Sequence, residues 1–162
     1  MCLRRRALFA LYFRYWNDFQ QLARAVGFTD ARLLKDSKIT IQNKEVEAKI
    51  GHIDFYSATY RLFKLPGKLE HFCEDYGQAV IYKGSIARAP RAWTLDAHHT
   101  IEAGKVFPVC GNTHHMLHGT RLNRHFEFIG DMSTHFGIYD GCGTSIPFAS
   151  GKEKGGGGGG CC

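Results

Sequence analysis

The chain has 162 residues, 44% of them hydrophobic, which is enough to bury a core and excludes a disordered tail. Its net charge of +6 is scattered apart from the Arg4, Arg5, Arg6 cluster, the pattern of a solvated surface and not of a nucleic-acid-binding face. The six cysteines show no CxxC spacing before the tail and the chain is too rich in core residues to need a disulfide scaffold, so free thiols in a reducing, cytoplasmic compartment are expected.

The first residues, MCLRRRALFALYF, imitate a signal peptide: three arginines precede an apolar run from Ala7 to Phe13. That run is short, merges into a helical pattern and has no A-x-A cleavage site after it. No stretch reaches the roughly 18 apolar residues that a membrane span requires. From Trp16 the apolar residues Phe19, Leu22, Ala23 and Val26 recur at helical spacing, and Gly27 stands where a C-cap glycine belongs, which predicts an amphipathic helix. Ala31 to Lys35 and Ile53 to Leu65 read as strands, the second rich in aromatic and β-branched residues. Between them NKEVEAKIG forms a short helical link ending at Gly51. Helix, strand, link and long aromatic strand is how a doubly wound nucleotide-binding sheet ends, often on an antiparallel strand. A strand leading through a Gly-rich turn into a helix, which would cradle a nucleotide, is not found upstream of residue 16.

Pro66 and Gly67 punctuate the chain. Beyond them GQAVIYKG, RAWTLD, KVFPVCG, RHFEFIGD and THFGIYDG each place a few strand formers between Gly, Asp or Pro. One helical piece is expected around Asn112 to Arg121, giving a mixed or antiparallel sheet with a helix packed on it. The final GKEKGGGGGGCC is a flexible linker by composition that presents two adjacent cysteines.

Four constellations could carry chemistry. Cys73 in HFCEDYGQ sits between His71-Phe72 and two acidic residues that oppose thiolate formation, so it is a poor nucleophile but a possible ligand for a thiol-seeking element, whose binding deprotonates the thiol. CGNTHHMLH offers Cys110, His114 and His118, with the two histidines four apart on one helix face, the spacing of a zinc site that lacks the Glu of H-E-x-x-H. His135 and Cys142 flank a turn and could act as a Cys-His pair only within hydrogen-bond reach, while His98 and His99 read as a loop or strand edge. Cys161 and Cys162 form an adjacent dithiol on a glycine tether that could chelate a thiophilic ion. For each, the plainer alternative is structural: a buried thiol, surface histidines or an inert terminus.

Taken in order, YWNDFQQLARAVGF, ITIQNKEVEAKIG, FYSATYRLFKL, CEDYGQAVIYKG, PVCGNT and HFEFIGDMSTHFG resemble the arsenite S-adenosylmethionine methyltransferases, closest to the algal type. The resemblance covers roughly residues 15 to 150 and is strongest over ITIQNKE and SATYRLFKL. It implies an α+β chain. The last helix and antiparallel strands of a class I, Rossmann-like methyltransferase sheet (15–84) come first, followed by a small α+β domain with a mostly antiparallel sheet (85–150). Residues 1–14 do not follow the family and 151–162 form the tail. The family's activity is transfer of methyl groups from S-adenosylmethionine to trivalent arsenic held by cysteine thiolates, with glutathione or thioredoxin as reductant.

By position, Cys73 looks like a substrate-binding cysteine of the family, whereas Phe9 stands where another arsenic-binding cysteine is expected. The family's N-terminal cysteines and its glycine-rich cofactor motif have no counterpart in this sequence. The resemblance therefore implies no cofactor site here and no methyl transfer by this chain alone, with the methyltransferase half as the natural partner and neither nucleic acid nor membrane among its partners. Two other readings compete: a module that sequesters soft ions through Cys73, Cys161 and Cys162, and a zinc-stabilised interaction domain built on Cys110, His114 and His118.

Overall fold

The computed structural model describes residues 15–141. Helix α1 runs Trp16–Ala25 and ends as its sequence predicts. Gly27 takes a positive φ of 92°, its N–H donates to the Arg24 carbonyl at 2.9 Å, and the Phe28 N–H donates to the Ala23 carbonyl at 2.8 Å. This double closure of the last turn is a Schellman motif, and it requires a residue that tolerates the left-handed region. Strand β1, Ala31–Lys38, pairs antiparallel with β2, Tyr56–Leu62, from Ala31 opposite Leu62 to Lys38 opposite Tyr56. The register slips between Leu33 and Lys35, a bulge that increases local twist. Helix α2, Lys44–Ile50, links the two strands, and the Asn43 side chain caps it by accepting from the Glu45 and Val46 N–H groups at 2.9 and 3.2 Å. The second strand is shorter than the aromatic run suggested: Gly51 to Asp54 form a turn at its start, and Pro66 with Gly67 closes the segment after it.

Five short strands follow the Pro-Gly turn almost where composition places them. They are β4, Ala79–Tyr82; β5, Ala92–Thr94; β7, Val106–Pro108; β8, Phe126–Ile129; and β9, Gly137–Ile138. Two more escaped the sequence pattern: β3 at Glu74–Asp75, a pair of acidic residues, and β6 at Thr100–Glu102, which holds a single apolar side chain. Strand β4 is the centre of a three-stranded antiparallel sheet in the order β7-β4-β8, while β3 pairs with β9 and β5 with β6. The central sheet thus draws on residues from both sides of position 84. Helix α3, Gly111–His118, packs across it.

The main core is Val80, Tyr82, Ile101, Val109, Leu117 and Phe126, all essentially inaccessible. Tyr82 keeps its hydroxyl satisfied by donating to the Ala89 carbonyl at 2.8 Å and accepting from the Ile86 N–H at 3.1 Å. A second core joins Phe63, just past β2, to Leu95 and Met116, and so ties the ribbon of β1 and β2 to the C-terminal sheet and helix. Among the described residues no helix is long and apolar enough to cross a membrane.

Candidate functional site

Cys73 is half-buried and forms no disulfide among the described residues, one residue ahead of β3. Its carbonyl accepts from the Tyr139 N–H at 2.8 Å, and the next residue, Glu74, pairs with Ile138 across β3 and β9. The Glu74 carboxylate accepts from His135 Nε2 at 2.8 Å, and the His135 ring lies 5.0 Å from that of Tyr76. His135 is therefore engaged beside Cys73, while Cys142, its suggested partner, lies outside the described residues together with Cys161 and Cys162.

The three zinc candidates take up separate tasks. Cys110 is fully buried at the N-cap of α3, with its Sγ 3.3 Å from Thr113 Oγ1 and 3.8 Å from Arg32 Nη2. His114 and His118 stack with planes 8° apart and centroids 5.6 Å apart, and Phe128 meets both rings edge-on at 5.1 and 4.9 Å. Burial, reinforced by the neighbouring charges of His115 and His118, lowers the His114 pKa to about 4, so this imidazole is neutral at pH 7. Among the described residues no group of three or more His, Cys, Asp or Glu stands ready to hold a metal.

The densest polar cluster was not legible in the sequence. Arg32 of β1 is buried and reaches Asp30 at 2.8 Å and Asp96 at 3.2 Å in addition to Cys110. Asp96 closes the turn between β5 and β6 by accepting from the His98 and His99 backbone N–H groups, both at 2.9 Å, and from His99 Nδ1 at 2.7 Å. Burial raises the Asp96 pKa, but the His99 hydrogen bond, the His99 and Arg32 charges and the backbone donor outweigh it, and the carboxyl titrates at about 2. Asn112 extends the cluster, donating to Asp30 at 3.2 Å and to the Glu70 carbonyl at 2.8 Å. The Ala97 N–H donates to the Leu33 carbonyl at 2.8 Å, and Arg61 of β2 donates to the Thr94 carbonyl at 2.8 Å with its guanidinium 4.8 Å over the Trp93 ring. These contacts join the β1–β2 ribbon to the β5–β6 turn and to Cys110 at the start of α3.

Comparison with known proteins places these features in context. Residues 76–145 match the arsenite methyltransferase C-terminal domain. An arsenite methyltransferase from Aquipseudomonas alcaligenes is 60% identical over 134 residues, 83% of this chain and 38% of that protein. The human arsenite methyltransferase is 37% identical, covering 69% of this chain and 29% of its own length. A solved structure, an arsenic(III) S-adenosylmethionine methyltransferase from Chlamydomonas reinhardtii, superposes with a TM-score of 0.75 at 47% identity, over 78% of this chain and 42% of that one. The chain spans about two fifths or less of the length of these relatives.

Proposed function

We propose, from the premise that this chain belongs with the C-terminal part of the arsenite methyltransferases, that it completes such an enzyme by supplying the edge of the methyltransferase half and the domain that follows it. The observation that carries this reading is the unequal burial of the two halves. In residues 15–65, Leu22, Val26, Ile39, Val46, Ile53 and Leu62 are exposed, while the buried hydrophobic residues are Ala23 and Phe63. A half so poor in core is the rim of something larger, and we infer that its ribbon continues a class I methyltransferase sheet.

The whole reaction we propose is methyl transfer from S-adenosylmethionine to thiol-bound trivalent arsenic. The described residues do not fit that cofactor, because β1 and β2 form an antiparallel ribbon without the parallel strands whose ends would make a nucleotide crevice. No step through it is assigned to them. What this chain contributes in the proposal is Cys73 as one arsenic-holding thiolate in the cytoplasm, with a thiol reductant such as glutathione or thioredoxin regenerating the trivalent state. Arsenic coordination would remove the thiol proton that Glu74 and Asp75 favour keeping.

The test is a chimera in which this chain replaces the matching part of the Aquipseudomonas enzyme. Arsenite, S-adenosylmethionine and a thiol should yield methylated arsenic with the chimera and none with the chain by itself. A folded but inactive chimera, or methylation by the chain alone, would overturn the proposal. Within an active chimera, Cys73→Ser should lose most methylation, and full retention would remove Cys73 from the arsenic site.

A further inference from the structure

We propose that Asn112 is a positioning residue for Cys73, fixing the stretch of chain that carries the thiol; the inference rests on the arsenic-holding role given to Cys73 above. Residues 63–73 run from β2 to β3 without helix or strand. Peptide groups in such a stretch need partners from elsewhere. Glu70, three residues before Cys73, finds both of its partners on one side chain. Asn112 Oδ1 accepts from the Glu70 N–H at 2.8 Å, and Asn112 Nδ2 donates to the Glu70 carbonyl at 2.8 Å. This amide, in the first turn of α3, stands in for the peptide of a neighbouring strand.

Asn112 is 2% exposed, so its amide is withdrawn from bulk water and depends on these partners. Nδ2 also donates to Asp30 at 3.2 Å, and Asp30 is itself paired with Arg32 at 2.8 Å. A carboxylate facing a guanidinium accepts hydrogen bonds, so the Asn112 nitrogen must turn toward Asp30 and the oxygen toward the Glu70 N–H. Alanine at this position would offer none of these groups, and aspartate would keep the acceptor while losing both donors. On the other side, the Tyr139 N–H donates to the Cys73 carbonyl at 2.8 Å, so the thiol-bearing residue is held from α3 and from β9. Arsenic on that thiol has to meet a methyl group at reacting distance, where a displacement of about 1 Å costs about a hundredfold in rate.

The experiment places Asn112→Ala and Asn112→Asp in the chimera described above, checks each fold by circular dichroism, and measures methylation against arsenite and against S-adenosylmethionine separately. In both variants kcat/KM for arsenite should fall roughly tenfold or more, while KM for S-adenosylmethionine keeps the parent value. A residue that merely stabilised the fold would lower the unfolding midpoint and leave the constants of the folded enzyme alone. Amide exchange in the parent chain is a second readout that needs neither variant nor activity: the Glu70 N–H should be strongly protected. Parent-like kcat/KM for arsenite in a folded variant, an equal rise in KM for S-adenosylmethionine, or unprotected exchange at Glu70 would each overturn the proposal. Cys73→Ser keeps the two failures apart, since full methylation there would overturn the arsenic reading itself and the role of Asn112 with it.

Discussion

Arg32 brings a full charge to a position where its side chain is 4% exposed, and it is matched there by Asp30 and Asp96. Replacing it with Met would leave two carboxylates facing each other in a desolvated site, a loss of about 3–5 kcal/mol. Thermal unfolding followed by circular dichroism should show Arg32→Met melting far below the parent, and an unchanged midpoint would refute the role assigned to the cluster. Acid sensitivity divides into two windows. His114 has a folded pKa of about 4, below its ordinary 6.5, so the unfolded chain takes up a proton first and stability falls as pH drops from about 6.5 to 4. Asp96, held at about 2 against 3.8, stabilises the fold above pH 3.8, and this contribution of roughly 2 kcal/mol is lost between pH 3.8 and 2. Urea titrations at a series of pH values should find the upper window flattened in His114→Gln and the lower one in Asp96→Asn. Cys73, Cys110 and the histidines were visible in the sequence as residue types. Their partners were not, since Arg32 meets Asp96 across 64 positions and Cys110 across 78, and no periodicity encodes such a meeting.

At the scale of elements, the strongest local signals were those with a chemical mechanism. Gly27 and Asn43 ended and began helices where their residue types favour doing so. Asn43→Ala should therefore cost about 1 kcal/mol by chemical denaturation. Gly130 makes a sharper case: its φ is 93°, and an added Cβ would lie 3.2 Å from the Gln78 Cα, which is backbone and cannot swing aside. Gly130→Ala should destabilise more than Asn43→Ala, by about 2 kcal/mol, and a smaller effect would mean that β8 and β4 separate easily at this end. Five strands could be read from β-branched and aromatic residues bracketed by Gly, Asp or Pro, whereas β3 is a bare Glu-Asp pair and β6 a Thr-Ile-Glu that carry no such pattern. They exist because β9 and β5 pair with them.

Over the whole molecule, what sequence spacing left unread is the joint between the β1–β2 ribbon and the sheets that follow. Phe63 in the core with Leu95 and Met116, Arg61 over Trp93 and the Arg32 cluster together make the β1–β2 ribbon a foundation of the C-terminal sheets. Sequence spacing could not reveal this, because the joining residues are single side chains spread over three elements. Fully buried Cys110 lies at that joint, so alkylation there can proceed only when the ribbon parts from α3. At reagent concentrations high enough that the rate no longer rises, the slow labelling phase that disappears in Cys110→Ser would thus time an opening event, giving the joint a lifetime as well as an architecture.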